Sequence, residues 1–269
     1  MITSVANQKV KWIVQLSKKA GFRRKEDVFL TEGIKMFLEA PVSRIEEIYI
    51  AESFEKACRK NPGMGRVWEK LQNTGYETAA DFVFEKMSDT QTPQGILCVL
   101  RQSHHSLPAM LAAVPSARPL LLLLEDIQDP GNLGTIMRAG EGAGVTGVIM
   151  SRGTVDIYNP KTIRATMGSI YRVPFFETDH LLQTIEELKQ EKVSVYAAYL
   201  EGGCDYDRCD YKKASAFLIG NEGNGLKEET VQAADSCVRI PMLGQVESLN
   251  AAVASSLLLY EAARQRRTL

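Results

Sequence analysis

The chain has 269 residues, 45% hydrophobic and 24% charged, a balance that excludes a disordered polymer and suits one large or two ordinary globular domains. Its 32 Lys and Arg against 33 Asp and Glu leave a net charge of −1, which by itself argues against a strong nucleic-acid binder. No apolar run approaches the roughly 20 residues of a membrane helix, and the start MITSVANQKVKW carries no signal-peptide core, so a cytoplasmic protein without a membrane partner is expected. The five cysteines form no CxxC pair. They are expected as reduced thiols, and no metal site is expected.

Residues 1–25 hold seven cations (Lys9, Lys11, Lys18, Lys19, Arg23, Arg24, Lys25) and no acid. Such an asymmetry suggests a basic arm facing phosphate, with Trp12 and Phe22 available to stack on bases. The same stretch suits an amphipathic helix whose Val10, Ile13, Val14 and Leu16 face a core. The two readings are compatible. Val28–Leu38 reads as a strand turning into a helix, and Ile45–Ile50 as a strand. Helices are expected over Phe54–Lys60, Gly65–Gln72 and Asp81–Met87, and strands at Thr78–Ala79 and Ile96–Leu100. Residues 1–104 therefore form a small α/β domain in this reading. The proline-bearing stretch that follows is the expected linker, residues 105–118. Over residues 119–269, apolar runs alternate with helical patterns, from Leu120–Leu124 through Leu249–Arg266. That alternation predicts a parallel sheet covered on both faces.

Three late stretches carry the chemistry: Asp126–Arg138 (DIQDPGNLGTIMR), Phe217–Leu226 (FLIGNEGNGL) and Arg239–Asn250 (RIPMLGQVESLN). Each runs from a strand or its edge into Gly, Asn and a charged residue, and open α/β sheets hold ligands where strands end. In the first, Pro130-Gly131 makes a turn and Asn132 falls where a helix N-cap is expected. By itself this also reads as a capped helix with a surface Arg138. The second is a glycine loop whose backbone can approach a ligand. It is not a phosphate-binding P-loop, because Leu226-Lys227-Glu228 stands where Lys-Ser/Thr is required. Glu222 in that loop also suits a plain hydrogen-bond acceptor. In the third, Ser248 is a plausible N-cap for the final helix. Gly142–Gly147 fits GxGxxG but follows a helix and leads into a strand, the reverse of a dinucleotide fingerprint. It reads as a glycine-rich helix end.

In order and register, these stretches resemble the three signature motifs of the SpoU/TrmH family of RNA ribose 2′-O-methyltransferases. Phe29–Gly33 and Thr92–Ile96 resemble recurring phrases of that family's N-terminal substrate-binding domain. The resemblance implies a C-terminal parallel-sheet SPOUT domain with a deep trefoil knot, plus a small N-terminal α/β RNA-binding domain. It implies S-adenosylmethionine as methyl donor, held by Gly220, Ile240 and Leu249, with no metal. Leu200, at the end of a strand entering Glu201-Gly202-Gly203, is expected at the adenosine end. Asn132, Arg138, Glu222, Ser248 and Asn250 are the implied catalytic residues, with Arg138 most closely tied to the reaction. The implied partners are RNA, ribosomal rather than transfer RNA, and a second copy of the chain. His104, His105 and His180 lie outside the motifs, so a histidine base is not expected. The competing readings are a tRNA methyltransferase, a non-catalytic RNA-binding protein that keeps the donor pocket, and a nicotinamide-dependent oxidoreductase, which the misplaced GxGxxG disfavours.

Overall fold

Val10, Ile13 and Leu16 recur at three-residue spacing and are buried along one face of helix α1 (Gln8–Lys18), which opens at Asn7, whose side chain accepts the Lys9 N–H. The computed structural model describes residues 1–114, 118–201 and 203–267. Residues 115–117 of the expected linker, and Gly202, lie outside the described residues. Two compact units form, Met1–Ser103 with Asp156–Tyr171, and His104–Val155 with Arg172–Leu269.

In the first unit, α2 (Ala20–Glu26) leads into β1 (Val28–Glu32) and α3 (Ile34–Glu39). Then follow β2 (Ile45–Ala51), α4 (Glu52–Lys60), α5 (Gly65–Thr74), β3 (Glu77–Ala79), α6 (Asp81–Met87) and β4 (Ile96–Arg101). The sheet order is β1-β4-β2-β3, with β4 antiparallel to both neighbours and β2 parallel to β3. The seven N-terminal cations do not all face solvent. Arg23 is only 3% exposed; it donates to the Leu16 and Ser17 carbonyls at 2.6 and 3.1 Å and pairs with Asp156. A half-lost buried pair costs about 3–5 kcal/mol, so Arg23 serves the fold and not an RNA surface. Lys9 is tied to Glu77 at 2.7 Å. Lys11, Lys18, Lys19, Arg24 and Lys25 remain exposed.

The second unit starts with α7 (Leu107–Ala112), inside the stretch expected to be a linker. Its Leu107 and Met110 are buried in this unit's core. The helix went unexpected because Pro108 and the small residues around it read as a turn. Proline is tolerated in a first helical turn, where its missing N–H has no partner to lose. Next come β5 (Leu120–Leu124), α8 (Pro130–Ala143) and β6 (Gly147–Ser151). The chain then crosses into the first unit for α9 (Pro160–Thr166) before returning for β7 (Phe175–Thr178). The remainder is α10 (Leu181–Gln190), β8 (Ser194–Ala198), β9 (Cys204–Asp205), β10 (Ser215–Ile219), α11 (Glu228–Ala233), β11 (Ser236–Arg239) and α12 (Ala251–Arg266).

The strands form one parallel sheet in the order β7-β6-β5-β10-β8-β11-β9. All five leucines of β5 are buried, each contributing about 1.5–3 kcal/mol by removal from water. A strand buried on both faces is how a central parallel strand reads. Helix α8 ends at Gly144 with φ +83, the left-handed cap expected of the glycine-rich helix end. Among the described residues, no helix is long and apolar enough to cross a membrane.

Candidate active site

The carboxyl ends of β5, β10, β8 and β11 are neighbours in the sheet, and the loops leaving the last three enclose a cavity of about 360 Å³. That size is within the range of small-molecule pockets. Leu200, Gly220, Glu222, Ile240, Ser248 and Leu249 all line it. These residues lie within residues 200–249 of the sequence and meet because parallel strands deliver all their carboxyl ends to one edge.

The β10 loop forms one wall. A Cβ at Gly220 would sit 2.3 Å from the Gly225 carbonyl carbon and the Leu226 nitrogen. Only glycine lets the loop return this closely on itself. Asn221 then organises the turn. Its backbone pairs with Gly225 in both directions, and its side-chain oxygen accepts from the Gly223 and Asn224 N–H groups at 2.9 and 3.0 Å. Its amide nitrogen donates to the Asp126 carbonyl at 2.8 Å.

Glu222 stitches this wall to the start of α8. Its carboxylate accepts the Gln128 and Asp129 backbone N–H groups at 3.0 and 3.1 Å and the Asn132 amide at 2.9 Å. Burial pushes its carboxyl up, but these hydrogen bonds outweigh it and hold the group below its ordinary value. The Asn250 amide in turn donates to the Asn132 oxygen at 3.0 Å. A relay Asn250–Asn132–Glu222 therefore joins all three motif stretches.

Two caps differ from the sequence-based expectation. Helix α8 is capped by Asp129, whose side chain accepts the Asn132 N–H at 2.8 Å, and not by Asn132. Pro130 begins the helix, because its fixed φ suits the first turn. Asn132 thus lies inside the first turn, with its amide free to reach Glu222. Likewise α12 is capped by Asn250, which accepts from Ala252 and Val253, and not by Ser248. Asn250 therefore spends its oxygen on the helix and its nitrogen on the relay. Ser248 remains exposed on the cavity wall.

Arg138 stands apart. It is exposed on α8 and makes no hydrogen bond or ion pair among the described residues. Leu200 and Glu201 line the cavity at the end of β8. No group of three or more His, Cys, Asp or Glu side chains that could hold a metal occurs among the described residues. Sequence reasoning missed Asn221. Its signal was present, since Asn beside Gly is a turn residue whose side chain bonds its own loop.

A parallel α/β unit with a loop-walled cavity at its strand ends, in a chain with a second α/β unit, fits the methyltransferase class that the three motif stretches resemble. Residues 119–260 match the SpoU rRNA methylase family, and residues 7–98 match the MRM3-like substrate binding domain. The chain belongs to the SpoU rRNA methylase family. It is 34% identical over 264 residues to the 23S rRNA (guanosine(2553)-2′-O)-methyltransferase RlmP of Bacillus subtilis (strain 168), covering 96% of this chain and 97% of that protein. An AdoMet-bound rRNA methyltransferase from Sinorhizobium meliloti superposes with a TM-score of 0.82 at 29% identity, over 98% of this chain and 97% of the other. AviRb from Streptomyces viridochromogenes in complex with AdoMet superposes with a TM-score of 0.84 at 25% identity, over 97% and 99%.

Proposed function

We propose that the chain transfers a methyl group from S-adenosylmethionine to a ribose 2′-hydroxyl of 23S rRNA, in the cytoplasm and as a homodimer whose catalytic unit carries a trefoil knot. The observation that carries this reading is the relay Asn250–Asn132–Glu222 at the rim of the strand-end cavity.

The cavity fits the donor: glycine-loop backbone on one side, Ile240 and Leu249 on the other, and Leu200 at the adenosine end. When bound there, S-adenosylmethionine supplies an electrophilic methyl group. The protein's part is alignment of the hydroxyl. Asn132 and Asn250 each commit one amide hydrogen to the relay and keep a second, suited to hold ribose oxygens. Glu222 is a weak base, since three donors occupy it and lower its proton affinity. Its role is to fix Asn132, and the hydroxyl proton leaves to another acceptor. Arg138 is permanently cationic. Its exposure and lack of a partner suit it to an RNA phosphate or to developing oxyanion charge.

Val253, Leu257 and Tyr260 are exposed at helical spacing along α12, on the helix that packs against α8. This apolar stripe, on a helix packed against the one that carries Arg138, supports a second copy covering that face. The first unit, with its exposed basic α1–α2 cations, is the RNA-presenting domain in this reading.

The test is methyl transfer from labelled S-adenosylmethionine to 23S rRNA and tRNA transcripts, followed by nucleoside analysis. A 2′-O-methylated nucleoside in 23S rRNA alone is expected. Arg138→Ala is expected to lower transfer by about 10²–10³-fold with donor binding intact. Loss of donor binding in that variant would move Arg138 into the donor site, and labelling of tRNA alone would overturn the substrate.

A further inference from the structure

The glycine-loop wall of the cavity needs an anchor on its returning limb, because Leu226, which lines the cavity, is also part of the buried core. That anchor is a carboxylate that no motif reading singled out. Glu125 follows the last residue of β5 and is only 3% exposed. Its backbone N–H donates to the Ile219 carbonyl at 2.9 Å, at the point where β10 ends and the loop departs. Its side chain accepts the Lys227 backbone N–H at 2.9 Å and the Thr230 hydroxyl at 2.7 Å, where the loop comes back. One residue thus grips both limbs.

A buried carboxylate is costly unless paired and hydrogen-bonded, and this one is both. The Lys227 ammonium lies 3.7 Å from Glu125 and 3.0 Å from Asp126. Asp126 also accepts the Ser151 hydroxyl at 2.6 Å. Its carbonyl receives the Asn221 and Gln128 side-chain amides at 2.8 and 3.0 Å. Glu125, Lys227 and Thr230 thus tie the end of β5 to the start of α11 without themselves lining the cavity.

We propose that Glu125 is a positioning residue for the methyl donor: by holding Lys227 and Thr230 it sets where Leu226 and the Gly220–Gly225 loop stand in the cavity before any donor arrives. This deepens the donor-site reading above and rests on it. Alanine at 125 leaves two buried donors without an acceptor. Glutamine keeps the shape, since its oxygen accepts the Lys227 N–H while its amide donates to the Thr230 hydroxyl.

Two measurements on the full chain test it. In calorimetric titration with S-adenosylmethionine, Glu125→Ala is expected to weaken donor binding about tenfold, and Glu125→Gln less than about threefold. RNA affinity is expected to stay within about twofold for both variants, as the substitution lies in the second unit and leaves the residues of the first unaltered. In donor-free protein, hydrogen exchange at Leu226–Thr230 is expected to rise about tenfold in Glu125→Ala while the β5 and β8 amides are unchanged. Thr230→Val, which removes one bond at near-constant volume, is the second variant should Glu125→Ala not fold, and the same selective rise at Leu226–Thr230 is expected. Unchanged exchange in that segment, unchanged donor affinity in Glu125→Ala, or equal weakening of the alanine and glutamine variants would overturn the proposal. Absence of donor binding by the unsubstituted chain would instead sink the donor-site reading and the positioning role with it. The exchange arm would still report whether the clamp exists.

Discussion

The two walls of the cavity are built on opposite principles. The Gly220–Leu226 wall is tied at every turn: Asn221 closes the loop, Glu222 binds it to the start of α8, and Glu125 secures its return. Across the cavity, residues 241–249 contribute no backbone hydrogen bond among the described residues, and Leu243 and Val246 face solvent. Order resumes only at Asn250, the cap of α12. The first wall is organised without ligand. The second has few bonds of its own. Segments of low local stability are where binding loops are drawn from.

Glu222 is the decisive side chain of the rigid wall. Glu222→Ala releases three donors and uncouples the loop from Asn132, and a misplacement of about 1 Å at a reacting centre costs on the order of a hundredfold in rate. Single-turnover methyl transfer at saturating donor is expected to fall by that factor. A fall below about threefold would mean that the rigid wall does not depend on Glu222.

A smaller effect follows from protonation. The carboxyl of Glu222 is held below its ordinary value in the folded chain. Its contribution to stability is therefore fully present above the unfolded carboxyl value of about 4.3 and is lost as pH falls through the lower folded value. Asp126 behaves in the same sense, its carboxyl lowered chiefly by the Ser151 hydroxyl against the opposing effect of burial. The difference in Tm between the unsubstituted chain and Glu222→Gln is expected to be constant from pH 6 to 8 and to close below about pH 4. A gap that persisted in acid would show that amide geometry, and not charge, carries the contact.

The smallest effect belongs to the loose wall. Leu243→Ser is expected to change stability by less than about 0.5 kcal/mol, as for an exposed position without partners. Chemical denaturation without donor checks this, and a larger loss would mean the segment is packed in the free protein.

The elements were largely legible in the residues. The expected bounds of α6 coincide with the observed Asp81–Met87, because its apolar residues recur at helical spacing. The cavity residues were legible as motifs, since glycine loops and Asn-bearing strand ends have a local signature. What was not legible depends on distant partners. Asn132 and Ser248 looked like caps until Pro130 moved one helix start and Asn250 took the other. Arg23 looked like an RNA contact because its partner, Asp156, lies 133 residues away. Glu125 carries no local signature, and only the return of the loop 102 residues later reveals its use.

The passage of Asp156–Tyr171 through the first unit has a consequence for inheritance. Tyr158 stacks near Phe29 with ring centroids 4.6 Å apart, its hydroxyl receives the Ser103 N–H, and Tyr171 donates to the Met36 carbonyl. The first unit is therefore discontinuous in sequence. A gene cut after Ser103 would leave Asp156–Tyr171 on the second fragment, without the residues of the first unit that it packs against. An exchange of the N-terminal unit between two such chains would keep these contacts only if Asp156–Tyr171 were exchanged with it.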